Sequence, residues 1–211
     1  MFNDDEVDKA FQSMIREWNI AERRIKKAEH VRAGEIVASA IFELRYAGRK
    51  VVDALHILGE SDWKADAEKR STVLAYLADA TEDCVKSKHD AIDSMLDFVT
   101  RWFHETEKSL NLGKIIIFFP DYVEIVSKIS EIQDKIADSR QNRIASRDGI
   151  YDDIENNYLD DIMSLFTKMK ISHERVTQEI LREKIKDNFM LWATIGSAIF
   201  GVVGIIIAIA K

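Results

Sequence analysis

Five histidines (His30, His56, His89, His104 and His173) and a single cysteine, Cys84, are the side chains of this chain best suited to proton transfer, nucleophilic attack or metal ligation. A dinuclear metal site in a helical bundle needs several inward carboxylates and repeated Glu-x-x-His units, because each metal must gather several oxygen and nitrogen ligands. Asp53 and His56 have that spacing, and no comparable second unit accompanies them. Cys84 can form neither an intrachain disulfide nor a cysteine-based zinc site. Its setting, Ala80-Thr81-Glu82-Asp83-Cys84-Val85, predicts a buried, inert thiol on a small apolar helix face. Phosphate-binding glycine loops, dinucleotide fingerprints, zinc-hydrolase helices and serine elbows are all missing from the sequence. The expectation is a chain with no cofactor and no metal.

Two arginine–histidine pairs, Arg24 with His30 and Arg49 with His56, have a spacing that resembles the motif of small helical ribonucleases of the HEPN class. That resemblance implies a histidine that shuttles a proton and an arginine that stabilises phosphate charge. Ile25 stands directly after Arg24, where the class generally carries a polar residue. The formal charge of −7 disfavours nonspecific attraction to nucleic acid. The short basic stretches Arg23–Lys27 and Arg182–Lys186 are each balanced by neighbouring acids.

Whatever these residues do, helices must position them. Pro120 is the only proline, and apolar residues recur at three- and four-residue spacings, so the class is all-α, a long-helix antiparallel bundle. Asn3 and Glu6 form a capping box for a first stripe of Val7, Phe11, Met14, Ile15, Trp18 and Ile25. Ile36, Ala40, Leu44, Ala47, Val51, Leu55 and Leu58 continue it, as one very long helix or two, with Gly34 and Gly48 as weak points. Gly59 and Ser61-Asp62 mark a firm break before a helix over 62–110, so that residues 4–110 make a hairpin. Helices over 121–148 and 150–187 follow. Ile125, Ile129, Ile132 and Ile136 have a heptad-like rhythm with too few repeats for a long coiled coil. Between them and the hairpin, Ile115, Ile116, Ile117, Phe118 and Phe119 form an apolar segment too short to span a bilayer, which is either buried, shallowly inserted in lipid or bound to a partner.

From Phe189 to Ala210 no residue is charged. As a helix this run is ~33 Å long, close to the roughly 30 Å hydrocarbon layer. It predicts a single-pass C-terminal transmembrane helix, a tail anchor following a helical domain over 1–187. Lys168, Lys170, Arg175, Arg182, Lys184 and Lys186 precede it and only Lys211 follows, which places the large domain in the cytoplasm. The acidic first residues, Met1 to Glu6, lack the pattern of a signal peptide. Ala193, Ser197 and Gly201 recur every four residues, Gly204 and Ala208 make a second pair with the same spacing, and such small residues let two helices pack closely.

An amphipathic helix joined to a C-terminal anchor resembles the layout of vesicle-fusion SNARE proteins. Here Gly149, Ser139, Arg143 and the acidic run Tyr151–Glu155 interrupt the repeat. Asp152, Asp153, Glu155, Asp160 and Asp161 offer either a solvated surface or a place for a basic partner. The expected function is a membrane-tethered, non-enzymatic interaction or oligomerisation module that meets membrane lipid and either itself or another protein. The alternatives are a membrane-disrupting toxin or defence effector and a tethered HEPN-like ribonuclease.

Overall fold

The computed structural model describes residues 2–109, 112–141 and 147–209, with some helical positions, among them all from 192 onward, described by backbone alone. The described residues form seven helices and no strand: α1 (Asp5–Val31), α2 (Ala38–Leu58), α3 (Ala67–Ser109), α4 (Leu112–Phe118), α5 (Tyr122–Gln141), α6 (Arg147–Asn157) and α7 (Leu159–Ile209). They divide into two compact units, one of residues 1–105 and 129–157, the other of residues 106–128 and 158–211.

In the first unit α1 starts one residue later than the sequence pattern implies. Asp4, not Asn3, is the N-cap and accepts from the backbone N–H groups of Glu6 and Val7. The same carboxylate receives the Arg70 guanidinium, at 2.8 Å from Nε, which also reaches Glu6 at 2.6 Å. This cation and the two N–H donors hold the Asp4 carboxyl at about 2, well below its ordinary value. Of the two glycine weak points, only Gly34 breaks the helix. Ala33 and Gly34 both take positive φ, and the Gly34 N–H closes the end of α1 on the Glu29 carbonyl at 2.7 Å. Gly48 instead lies inside α2, where a Cβ would stand 3.4 Å from the Trp18 ring.

Cross-links give the direction of each helix. Trp18 of α1 meets Gly48 of α2, and the Ser87 hydroxyl of α3 donates to the Ala40 carbonyl of α2 at 2.7 Å while Lys50 pairs with Asp79 at 2.8 Å. Arg70 reaches back to Asp4, and Arg32 bonds Ser94. Thus α2 runs antiparallel to both α1 and α3, which are parallel to each other. Val7, Phe11 and Met14 of α1, Ala47 and Ala54 of α2, and Val73, Leu77, Ala80 and Cys84 of α3 share one core, closed below by Trp63 from the α2–α3 connection. The Cys84 thiol, buried there, is pushed up to about 12 and keeps its proton. Ile129, Ile132 and Ile136 of α5 and Tyr151 and Ile154 of α6 are also buried.

The helix expected over 150–187 is divided in the structure. Residue 158 separates α6, which already begins at Arg147 and contains Gly149, from α7. Asn156 and Asn157, weak helix formers, end α6 without glycine or proline. In the second unit Ile115, Phe119, Tyr122 and Ile125 are buried, as are Leu159, Ile162, Leu165, Phe166, Met169 and Val176 of α7. Lys128 ties α5 to α7 through Asp161 at 3.4 Å, and the Tyr122 hydroxyl bonds Glu107.

Ala47 is fully buried against the neighbouring helices. Ala47→Leu is therefore expected to overpack this face and cost about 1–3 kcal/mol. Gly48→Ala adds a methyl at an ordinary contact distance from Trp18 and gains helix propensity, raising stability by up to about 1 kcal/mol. Urea unfolding of the full chain, followed by circular dichroism, reads both signs.

Candidate functional site

The arginine of each arginine–histidine pair is held by a carboxylate. Residues six apart on a helix are turned by roughly 120° from one another, and the Arg24 guanidinium is engaged by Glu155 of α6 while His30 is exposed. Arg49 pairs with Asp53 at 3.1 Å one turn on, and His56 faces solvent. Among the described residues no cluster of three or more His, Cys, Asp or Glu is placed to hold a metal.

The one histidine built into the interior is His89, 1% exposed. Its ring stacks on Tyr151 of α6, with centroids 3.9 Å apart, and its Nε2 has no hydrogen-bond partner, lying 3.6 Å from an Asp148 oxygen. Burial, with the nearby Lys88 and Arg147 cations, lowers the imidazole to about 3, so it is neutral at pH 7. Tyr151 donates to Asp93 at 2.7 Å, and burial together with that bond pushes the phenol up to about 12. Lys88, itself buried, pairs with Asp152 at 2.9 Å. A groove of about 740 Å³ runs beside this cluster, floored by Leu74, Leu77 and Val85, and its Lys86 is already paired with Glu82 and Asp83. The polar groups here fasten α6 to α1 and α3; they do not gather charge toward a reacting atom.

The unusual features among the described residues are surfaces. The apolar 115–119 segment lies largely in α4, with Ile115 and Phe119 buried while Ile116 and Ile117 are 41% and 75% exposed; the Phe118 side chain lies outside the described residues. Beside them Leu112 and Val123 are also exposed. Half of this segment is thus core of the second unit and half is available surface.

Along α7 the last described buried residue is Val176, after which Leu181, Ile185, Phe189, Met190 and Leu191 are all more than half exposed. Three consecutive residues on a helix point in directions about 100° apart, so the last three present apolar surface on several sides. Ala193, Ser197, Gly201, Gly204 and Ala208 belong to the backbone of α7, and their side chains lie outside the described residues. Among the described residues no helix is long and apolar enough to cross a membrane.

A further surface, which the inward stripe alone does not reveal, is on α2. Its fully buried residues are three alanines, Ala40, Ala47 and Ala54, seven apart. Its larger apolar side chains, Ile41, Phe42, Tyr46, Val52 and Leu55, are 38–59% exposed, and Ile36 just before the helix is 68% exposed. Arg45 and Arg49 are exposed between them. The signal was present: Phe42, Tyr46 and Val52 fall outside the single inward stripe drawn through this helix, and together they make a second one.

No family model, curated protein or solved structure matches the chain.

Neutral, buried His89 makes stability pH-dependent. As pH falls below about 6.5 the unfolded chain binds a proton that the folded site refuses until about 3, so stability is lost across that window. The loss attributable to this group is on the order of a few kcal/mol. His89→Phe keeps the stack on Tyr151 and is expected to flatten the acid limb of the melting temperature between pH 6.5 and 4 relative to the parent, measured by circular dichroism.

Proposed function

We propose that this chain is a membrane-tethered helical interaction module, anchored by the C-terminal part of α7 and acting through contacts with another protein or with its own copies. The observation that carries the reading is that α7 is continuous from Leu159 to Ile209. It therefore includes nearly all of the uncharged run Phe189–Ala210 in the same helix that supplies Leu159, Ile162, Leu165 and Met169 to a packed core. Exposed Phe189, Met190 and Leu191, apolar on several sides, support lipid rather than one neighbouring helix as their surroundings. Asp187 is the last charged residue before them.

Self-association has a place in this proposal through the small-residue face of Ala193, Ser197, Gly201, Gly204 and Ala208. The chemistry-bearing residues do not favour an enzymatic role, since Arg24 is engaged by Glu155, Arg49 by Asp53, and His89 is buried.

Placing arginine at Gly201 and Ile205 adds roughly 2.5–3.5 kcal/mol per site to membrane insertion. The parent protein is expected to stay with membranes through an alkaline carbonate wash, and the Gly201→Arg/Ile205→Arg chain to be released. Retention of both would sink the anchor reading. In gentle detergent, light scattering of the Ser197→Leu/Gly201→Leu chain is expected to give a lower oligomer mass than the parent, and equal masses would remove that face as the contact.

A further inference from the structure

We infer that the outward face of α2 is a docking site for an amphipathic helix that carries carboxylates flanked by apolar side chains. The inference deepens the interaction-module reading by naming the partner's chemistry, and it does not depend on the membrane anchor.

The argument starts from how α2 spends its residues. Only its alanines are fully buried, with Leu44 and Val51 half-buried beside them, whereas Phe42 is 54% and Tyr46 59% exposed. Phenylalanine and tyrosine left more than half in water contribute only part of their apolar area to the fold, and clustered surfaces of this kind mark contact sites. At 100° per residue, Ala38, Arg45, Arg49 and His56 fall along the middle of the face opposite the buried alanines. Ile41 and Val52 lie on one side of that line, and Phe42 and Tyr46 on the other. Aromatic residues and arginine together are the composition enriched where protein partners bind most strongly.

Charge selects the occupant. Arg45 has no ion pair or hydrogen bond among the described residues, and Arg49 has only the exposed intrahelical link to Asp53. A second copy laid antiparallel on this face would bring Arg45 and Arg49 against their own counterparts, which disfavours self-pairing. A broad anionic bilayer would meet Asp53, Asp79, Glu82 and Asp83 as well as the arginines, whereas a single helix can confine its carboxylates to the line of Arg45 and Arg49. A helix with carboxylates one turn apart meets both guanidiniums, each able to bind a carboxylate through two N–H groups. Its flanking leucines or isoleucines then cover Phe42, Tyr46, Ile41 and Val52.

The test uses the full chain kept in solution with a mild detergent and two labelled helical peptides of roughly 20 residues, long enough to cover α2. One has a central line of glutamates flanked by leucines, and the other has lysine in place of every glutamate. Fluorescence anisotropy is expected to show the glutamate peptide binding at least about tenfold more tightly. Phe42→Ala/Tyr46→Ala, which removes exposed atoms and leaves the core intact, is expected to weaken it by about tenfold or more. Arg45→Glu/Arg49→Glu is expected to reverse the preference toward the lysine peptide, an outcome that misfolding cannot produce. Equal binding of the two peptides, or loss without reversal in the charge-swapped chain, overturns the proposal. Concentration-dependent dimerisation abolished by Phe42→Asp also overturns it, by assigning the face to a second copy. Failure of this assay with intact carbonate-resistant retention removes the α2 site alone, and the opposite pattern removes only the anchor.

Discussion

Close approach of α2 to its two neighbours governs the first unit. Ala40, Ala47 and Ala54 repeat every seven residues and expose nothing, so α1 and α3 can come near the α2 backbone; Gly48 receives the edge of Trp18 in the same way. Small side chains contribute little apolar area themselves, and the burial must come from the partners. Phe11, Met14, Leu77 and Val73 supply it from α1 and α3, and Trp63 closes the end. Having turned alanine inward at its closest contacts, α2 keeps Leu44, Val51, Ile57 and Leu58 half-buried beside them and turns Ile41, Phe42, Tyr46 and Val52 outward. The same choice that packs the core therefore creates the surface.

Polar links fix register where apolar packing alone would permit sliding. Asp4 serves α1 as a cap and α3 as the partner of Arg70, so the beginnings of two parallel helices are set against each other. Ser87 takes the Ala40 carbonyl, and Lys50 takes Asp79, doing the same for the antiparallel pair. The stack of His89 on Tyr151, with Lys88–Asp152 and Arg24–Glu155 around it, places α6. Those residues are of the types used in catalysis; here the polar groups of Tyr151, Lys88 and Arg24 are engaged by carboxylates, and His89 is stacked and buried.

Much of the helical architecture was legible in the sequence because helices bury stripes. Val7, Phe11 and Met14, then Val73, Leu77, Ala80 and Cys84, then Ile125, Ile129, Ile132 and Ile136 are buried where their spacing places them. The break at Gly34 rather than Gly48 was not legible, because the two differ only in what surrounds them: a left-handed turn at one, the ring of Trp18 at the other. Nor was the end of α6, which no glycine or proline announces. Ile36, just before α2, and Leu55 within it fit the inward stripe by spacing and are exposed in the structure. His89 was visible only as one histidine among five; its burial depends on Tyr151, far away in sequence.

Between Val176, the last described buried residue of α7, and Phe189 the helix continues without interruption. An α-helix fixes angular phase as well as distance, advancing about 100° and 1.5 Å with each residue. The direction faced by every later position of α7 is consequently set by the direction in which Leu165 and Met169 are buried. Length changes in this interval act like turns of a screw: one added residue swings the distal helix by about 100°, whereas seven nearly restore its azimuth and move it along by ~10 Å. Selection on this stretch would thus act on residue number modulo the helical repeat, even where side-chain identity is free to drift.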